Sequence, residues 1–481
     1  MSVRRGVTRR GFLTVAVSAV VAGVVAGVGA YFAGTLAAPV REVTRTETRT
    51  VTTTLAPGAP VTVTQTVTQP TTITVTQTAV EKPPRDRILI GASLSLTGGF
   101  ASYGKDLEWV YKRAVKIVNE QGGLYLHRYG RKLPVELIIY SDDSNPEKAT
   151  ANVERLCTVD GVDALLGSFG SPIQVPQART AEKNKTPWVG IGSAETTYDI
   201  EGWRWTFIPF GDNWSIVEVF YMFNETLPEK DRVKTIALWV DQAPMPIENA
   251  KIHKLFAKEY GLEIVYEALY PTGTTDFTGI ISETKKVNPD LVWSIPVPPD
   301  GLTILKQCRD LRFAPKWMWM QRALDSTAVS VPNAKLAQYV IVVHLGLLPT
   351  GKGPYGSDTL AADYEKAFGY PPGSDVTTGH TAVQILFNAI ERAGTLDKNE
   401  IRRCLAETDM ETASGPISFP YGHGHANIAV QFCQIDAAGR FQPFFTIRPG
   451  SKKPFPYIQP KRLPEYDKVK PVYPFPPWET R

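Results

Sequence analysis

From residue 88 onward the apolar residues fall into two alternating patterns. Short runs of Val, Ile and Leu alternate with longer stretches in which apolar positions recur every three or four residues. These are the periods of buried strands and amphipathic helices. Residues 87–94 (RILIGASL) predict a first strand. A turn at 97–99 then leads to a helix over 103–120, with Leu107, Val110, Tyr111, Ala114, Val115 and Val118 on one face and Gly122-Gly123 as its stop. Residues 134–140 and 163–167 predict the second and third strands. Asn145-Pro146 between them reads as an N-cap and first-turn proline. The loop 168–171 (SFGS) follows the third strand, and Ser171-Pro172 repeats the cap-plus-proline start. Residues 187–191 predict a fourth strand, followed by Gly192-Ser193-Ala194. Strands alternating with helices imply a parallel sheet covered on both faces. In such sheets a small polar ligand binds beyond the carboxyl ends of the strands, against helix N-termini.

A second series of the same kind follows the Trp203 and Trp205 segment. Strands are predicted at 235–240, 263–269, 290–294, 316–320 and 338–343, and helices at 212–223, 247–260, 276–286 and 300–310. Helices at 357–368, 379–393 and 398–407 return to the first half, and short strands at 417–419 and 429–436 close the fold. The Pro- and aromatic-rich tail from about 449 is expected to wrap the surface without regular structure.

The first 87 residues are different. Arg4, Arg5, Arg9 and Arg10 precede residues 11–38, a run without a charged side chain. RRGFL at 9–13 reads as a twin-arginine export signal, and the run is long enough to stay in the membrane as an anchor. Thr/Val near-repeats punctuated by Pro57, Pro60, Pro70, Pro83 and Pro84 then predict an extended, Thr-rich stalk over 39–85, a candidate for O-glycosylation. Extended, it could reach on the order of 100 Å.

At 481 residues, 43% of them apolar, the chain supports two lobes with buried cores. The net charge of +4 resides at the N-terminus. Residues 1–87 carry ten Lys/Arg against four acidic residues, which leaves 42 basic against 44 acidic for the rest. A nucleic-acid binder carries its surplus on the folded part, so nucleic acid is excluded as a partner.

Motifs for catalysis or metal are poor. Residues 346–353 (GLLPTGKG) miss a phosphate-binding loop at its Ser/Thr position and carry a proline inside. His423-Gly424-His425 lacks a third ligand and reads as a hairpin tip, and Asp142-Asp143 read as turn-forming. There is no G-x-S-x-G turn and the six histidines are scattered, which argues against an enzyme and against a metal or cofactor. Cys157, Cys308, Cys404 and Cys433 show no metal-type spacing and leave one or two disulfides open. The sequons at Asn184, Asn213 and Asn224 add only weak support for exposure outside the cell.

SLTGGFASYG (95–104), VNEQGG (118–123), YSDDSNPEKA (140–149), GSFGS (167–171), TDF (275–277), NPDLV (288–292) and SGPISF (414–419) occur in this order. Through them, residues 88 to about 447 resemble the branched-chain amino-acid/amide class of periplasmic solute-binding proteins of ABC importers. The resemblance implies two doubly wound α/β lobes, each with a parallel sheet, joined by three hinge strands. It places lobe 1 at 86–208 plus 345–420, lobe 2 at 209–344 plus 421–447, and a tail at 448–481. The chain would then be an extracytoplasmic, non-catalytic binding protein. It would close over a small solute (an amino acid, amide, carboxylate or aromatic acid) and deliver it to permease subunits. A sensory ectodomain of the same fold is the alternative.

The site the resemblance implies is built from Tyr103, Gly170, Ser171, Gly192, Ser193 and Ala194 of lobe 1. Tyr103 covers the ligand, and Ser171, expected as an N-cap, binds its carboxylate. Lobe 2 departs from the family pattern. Ala243-Pro244-Met245-Pro246 replaces a Tyr-Gly turn, which makes Met245 a candidate, and Gln321, beside Arg322, stands where relatives place an acid for the ligand amine. An ammonium group buried without a carboxylate is costly, so a carboxylate, amide or aromatic compound fits better. Trp293, with Trp317, Trp319 and Met320, is a candidate apolar wall, with core packing as the competing reading.

Overall fold

The computed structural model describes residues 51–52, 62–63, 81–192, 202–448, 461–472 and 474–478. The chain divides into two units, Met1–Ala79 and Val80–Arg481. In the first, the described residues form one small antiparallel pairing, Val51 with Val63 and Thr52 with Thr62. The expected signal segment and nearly all of the expected stalk lie outside the described residues, as do Ser193 and Ala194. Among the described residues no helix is long and apolar enough to cross a membrane.

In the second unit the first lobe is built on a six-stranded, wholly parallel sheet. Its elements are β1 (Ile88–Leu94), α1 (Ala101–Glu120), β2 (Val135–Ser141), α2 (Pro146–Thr158), β3 (Ala164–Phe169), α3 (Ser171–Lys183), β4 (Trp188–Ile191) and β5 (Thr206–Ile208). Asn145 caps α2 as its sequence predicts, its side chain accepting from Lys148 N–H at 2.7 Å with Pro146 in the first turn. The side chain of Asp212 likewise accepts from Ser215 N–H at 2.6 Å and opens α4 (Asn213–Thr226).

That helix starts the second lobe, which continues with β6 (Thr235–Asp241), α5 (Pro244–Tyr260), β7 (Glu263–Tyr270), α6 (Thr278–Val287), β8 (Leu291–Ser294), α7 (Pro298–Asp310), β9 (Trp317–Met320) and β10 (Ile341–Leu345). The chain then returns to lobe 1 with α8 (Leu360–Phe368), α9 (Ser374–Ala393), α10 (Lys398–Ala406) and β11 (Gly424–His425). It ends in lobe 2 with β12 (Val430–Ile435), β13 (Phe441–Arg448) and β14 (Lys461–Arg462). The sheet orders are β11-β5-β4-β3-β1-β2 and β7-β6-β8-β9-β10-β12-β13-β14. Strands β6 to β10 are parallel, and the last three are added antiparallel.

Three segments connect the sheets, after Ile208, after Leu345 and after His425. They run side by side: Gly346 N–H donates to the Ala429 carbonyl at 2.7 Å, and Gly211 packs between Leu345 and Val430. Both carboxyl-end edges therefore face one another across a cleft spanned by three strands, the arrangement that permits hinge closure.

Three details differ from the sequence-based expectation, and the state of the cysteines, which it left open, is decided. Helix α9 starts at Ser374, five residues before 379, because its first turn buries Asp375, Thr377 and Thr378 instead of apolar groups. His423-Gly424-His425 is no hairpin tip. Gly424-His425 runs parallel to β5, so the crossing back to lobe 2 falls after His425, and the hairpin is Asp409–Thr412 with Gly415–Ser418. The four cysteines are free thiols. The tail, expected to be irregular, adds β14 to the sheet edge and inserts Phe475 and Trp478 into the lobe 2 core. There Trp478 Nε1–H donates to the Phe313 carbonyl at 2.8 Å.

Candidate functional site

The lobe 1 rim is set by how closely α1 approaches the end of β1. A Cβ on Gly104 would stand 1.9 Å from the Ser95 carbonyl oxygen, so only glycine lets the helix dock there. The neighbouring Tyr103 is thereby held fully buried, its ring stacked on Phe169 at 3.8 Å between centroids and 12° between planes. Burial raises its hydroxyl pKa well above the ordinary value, so it acts as a hydrogen-bond donor. At the end of β3, Gly170 adopts φ 90° and its Cα faces the Phe100 ring, where a Cβ would come within 2.6 Å. Gly170, not Ser171, is the N-cap of α3, because β3 runs two residues further than its apolar run. Ser171 is instead the first helical residue, and its Oγ is turned across the cleft. Gly192 follows β4, and the side-chain amide of Gln174 fills the space a Cβ would take.

The lobe 2 rim meets this one directly. Met245 is buried in the first turn of α5, and its backbone N–H donates to Ser171 Oγ at 3.1 Å. Past the end of β9, Arg322 holds a left-handed backbone with φ 64°, an uncommon state for a residue with a side chain. Its carbonyl accepts the Tyr103 hydroxyl. The guanidinium is buried, pairs with fully buried Asp241, donates to the Ile295 carbonyl and lies 5.7 Å over the Phe100 ring. Its Nε and Nη1 have no hydrogen-bond partner among the described residues. The same holds for Gln321 Oε1, Asp325 Oδ1 and Ser168 Oγ, although all five atoms are buried. Asp325 accepts from Arg322 N–H at 2.9 Å through Oδ2, and burial, partly offset by that bond and by the Arg322 charge, pushes its pKa up to about 8.

Buried polar groups are nearly always satisfied in folded proteins, and these five unpartnered atoms are gathered at the facing ends of the two sheets. The sequence pattern described as periplasmic binding protein matches residues 87–440.

The chain belongs to the periplasmic binding protein family.

Among curated relatives of this binding protein, Leu/Ile/Val-binding protein homolog 1 of Brucella abortus is 24% identical over 339 residues, 69% of this chain and 86% of the relative. A leucine-binding protein from Thermotoga maritima superposes with a TM-score of 0.66 at 20% identity, over 75% of this chain and 99% of that one. A solute-binding protein of an ABC transporter from Rhodopseudomonas palustris, solved with 3,4-dihydroxybenzoic acid, superposes with a TM-score of 0.63 at 20% identity. It covers 73% of this chain and 94% of its own. These structural likenesses establish the fold.

Within the binding protein, the predicted residues separate. Tyr103, Gly170, Ser171, Gly192, Met245 and Gln321 lie at the two rims. Trp293 does not: it is sealed in the lobe 2 core, its ring 4.6 Å from that of His253, and Trp317 and Trp319 share that core. The reason is strand alternation, which turns the Trp side chains of β8 and β9 toward α4 and α5 and Met318 and Met320 to the opposite face. The residues that sequence reasoning passed over are Phe100, Phe169, Arg322 and Asp325. Their signal was Arg322 itself, a charged residue directly after the wholly apolar strand WMWM.

Proposed function

We propose that this protein captures a small organic carboxylate between its lobes and hands it to an ABC-type importer on the extracytoplasmic face of a membrane. The observation that supports this reading is Arg322. It is a permanently charged, buried guanidinium at the cleft whose partner Asp241 leaves two donors unused. A carboxylate guest would accept from these donors and from the Ser171 hydroxyl, while Tyr103, Phe100 and Phe169 enclose its apolar part. Gly170 and Gly192 would line the lobe 1 side without side-chain bulk, and Met245 and Gln321 the lobe 2 side. The Rhodopseudomonas palustris relative holding an aromatic acid fits the same chemistry. An α-amino acid fits less well, because the position beside Arg322 is the neutral Gln321 and Asp325 holds its proton near neutrality.

In this reading residues 11–38 keep the protein at the membrane, residues 39–85 act as the stalk, and closure delivers solute to permease subunits without chemistry. Thermal-shift screening against benzoate, hydroxybenzoates, aliphatic carboxylates, amides and branched-chain amino acids tests it. A guest that binds only the folded state raises the melting temperature. Stabilisation by carboxylates above amino acids is expected, and stabilisation by amino acids alone would overturn the carboxylate assignment.

A further inference from the structure

The end of the chain differs in charge from the lobes it is packed on. Residues 440–481 carry nine Lys/Arg against three acidic residues, which leaves 33 against 41 for residues 88–439. The described part of this segment forms a strap on lobe 2. There β14 closes the far edge of the sheet beside β13, and the chain then runs on to Phe475 and Trp478 in the core. Lys468 N–H and Val469 N–H both donate to the Pro443 carbonyl, at 2.7 and 3.2 Å. The Gln434 side chain exchanges two hydrogen bonds with the Val472 backbone, at 2.8 and 2.9 Å. The strap is therefore displayed on a fixed backbone. Asp467 is taken up by Arg462, and Asp436 by Arg440 at 3.1 Å. Arg448, Lys461, Lys468 and Lys470 have no ion-pair partner among the described residues, and Glu465 is the only other described acid of the strap.

Apolar groups are exposed in the same stretch. Tyr466, Val469 and Val472 are 37%, 39% and 45% exposed, three of the nine large apolar side chains that stand in solvent among the described residues. Single exposed apolar residues are ordinary, whereas these three fall within seven positions and are interleaved with Lys468 and Lys470. Lysines interleaved with apolar side chains suit the surface of a membrane, where the cations meet anionic headgroups and the apolar groups enter the interfacial layer.

We propose that the strap over residues 461–472 docks lobe 2 on an anionic lipid surface. Charge selects the occupant: four unpaired cations and one unpaired acid attract a negative surface and gain nothing from a zwitterionic one. Because the backbone is already fixed, docking orders no further chain. The strap lies along the outer edge of the lobe 2 sheet, whereas the solute-facing rim lies at the carboxyl ends of the strands, so docking leaves the cleft open to its guest. The inference goes beyond the solute reading and holds whichever guest the cleft takes. Each lysine near an anionic surface contributes about fivefold in affinity, so three together contribute about a hundredfold.

The test uses the full chain on phosphatidylcholine vesicles with and without phosphatidylglycerol. A fluorescent unnatural amino acid replaces Val472, or the exposed Lys116 of α1 as a control, and nitroxide carried on the lipid headgroups quenches whichever label lies at the surface. Quenching is read on the vesicle-bound fraction recovered by flotation, so the result does not turn on how residues 11–38 hold the chain. The label at 472 is expected to be quenched several-fold more on the phosphatidylglycerol vesicles, and raised salt should abolish the difference. The label at 116 should stay bright on both. Lys461→Gln/Lys468→Gln/Lys470→Gln, all at exposed positions, should remove the preference. Equal quenching on both vesicle types, equal quenching at both label positions, or a triple variant that behaves as the wild type would overturn the proposal. So would a label at 472 that is quenched on neither vesicle, the result expected if the basic face meets an acidic protein instead.

Discussion

Replacing Arg322 with methionine tests both the architecture of the cleft and its chemistry. The side chain is 2% exposed and its partner Asp241 is fully buried, so the substitution leaves Asp241 with only the Thr272 hydroxyl as a partner among the hydrogen bonds described. Breaking one side of a buried pair costs about 3–5 kcal/mol, most of it the penalty on the abandoned charge. For a lobe of this size, at about 2–4 °C per kcal/mol, this is a fall of roughly 10 °C in melting temperature. Neutralising the abandoned carboxylate in Arg322→Met/Asp241→Asn should recover most of it, since an asparagine there can still accept from Thr272. The effect on binding is separate. A hydrogen bond to a charged group contributes about 1.5–3 kcal/mol, so a carboxylate should bind about 10- to 150-fold more weakly to both variants. Scanning calorimetry reads the first effect and isothermal titration with the best carboxylate the second. Equal melting of the single and double variants would sink the ion-pair argument. Unchanged carboxylate affinity in the stable double variant would show that Arg322 does not touch the guest.

Ser171→Ala should weaken solute binding about five- to tenfold while shifting unliganded stability by only about 1 kcal/mol, the value of one hydrogen bond. Titration calorimetry and urea melts measure the two, and unaltered affinity removes Ser171 from the site. Gly104→Ala should destabilise by about 1–3 kcal/mol or more, since the new methyl group meets the backbone oxygen of Ser95 and not a movable side chain. A neutral urea midpoint would show that α1 is free to move away. Asp325 has a folded-state pKa of about 8 against an ordinary 3.8, so the folded state holds the extra proton. Its contribution is full below pH 4 and is lost as pH rises toward 8, by up to about 1.4 kcal/mol per unit. Asp325→Asn should flatten that slope in urea midpoints taken from pH 5 to 8. Trp478→Ala should destabilise by about 3–5 kcal/mol, as for a core aromatic, where a surface tail predicts no change in the melting curve.

What the sequence made legible follows from which residues it buried. The alternation of strand and helix is written in apolar periodicity, so β1, β3, β6 and β8 with their helices fall within a few residues of expectation. Periodicity fails where burial is polar. Helix α9 begins with Asp375, Thr377 and Thr378, which count as exposed by residue type but are sealed between lobes, and its first turn was therefore invisible. The same blindness explains the site. The strand-end positions of Tyr103, Gly170, Ser171 and Gly192 were legible because small residues and a Ser-Pro helix start have a local reason to lie there. The place of Trp293 was not, since no local rule separates a tryptophan that walls a cleft from one that fills a core. Strand parity decides it, and parity depends on which face α4 and α5 cover. Arg322 and Asp325 were hidden for the opposite reason. A charged residue after an apolar strand looks like an ordinary solvated turn until the facing lobe covers it. Arg322 is covered from its own lobe by Asp241 and Ile295 and from the facing lobe by Phe100 and Tyr103, so part of the chemistry here is carried by contacts such as Tyr103 to Arg322 that span 219 residues of chain.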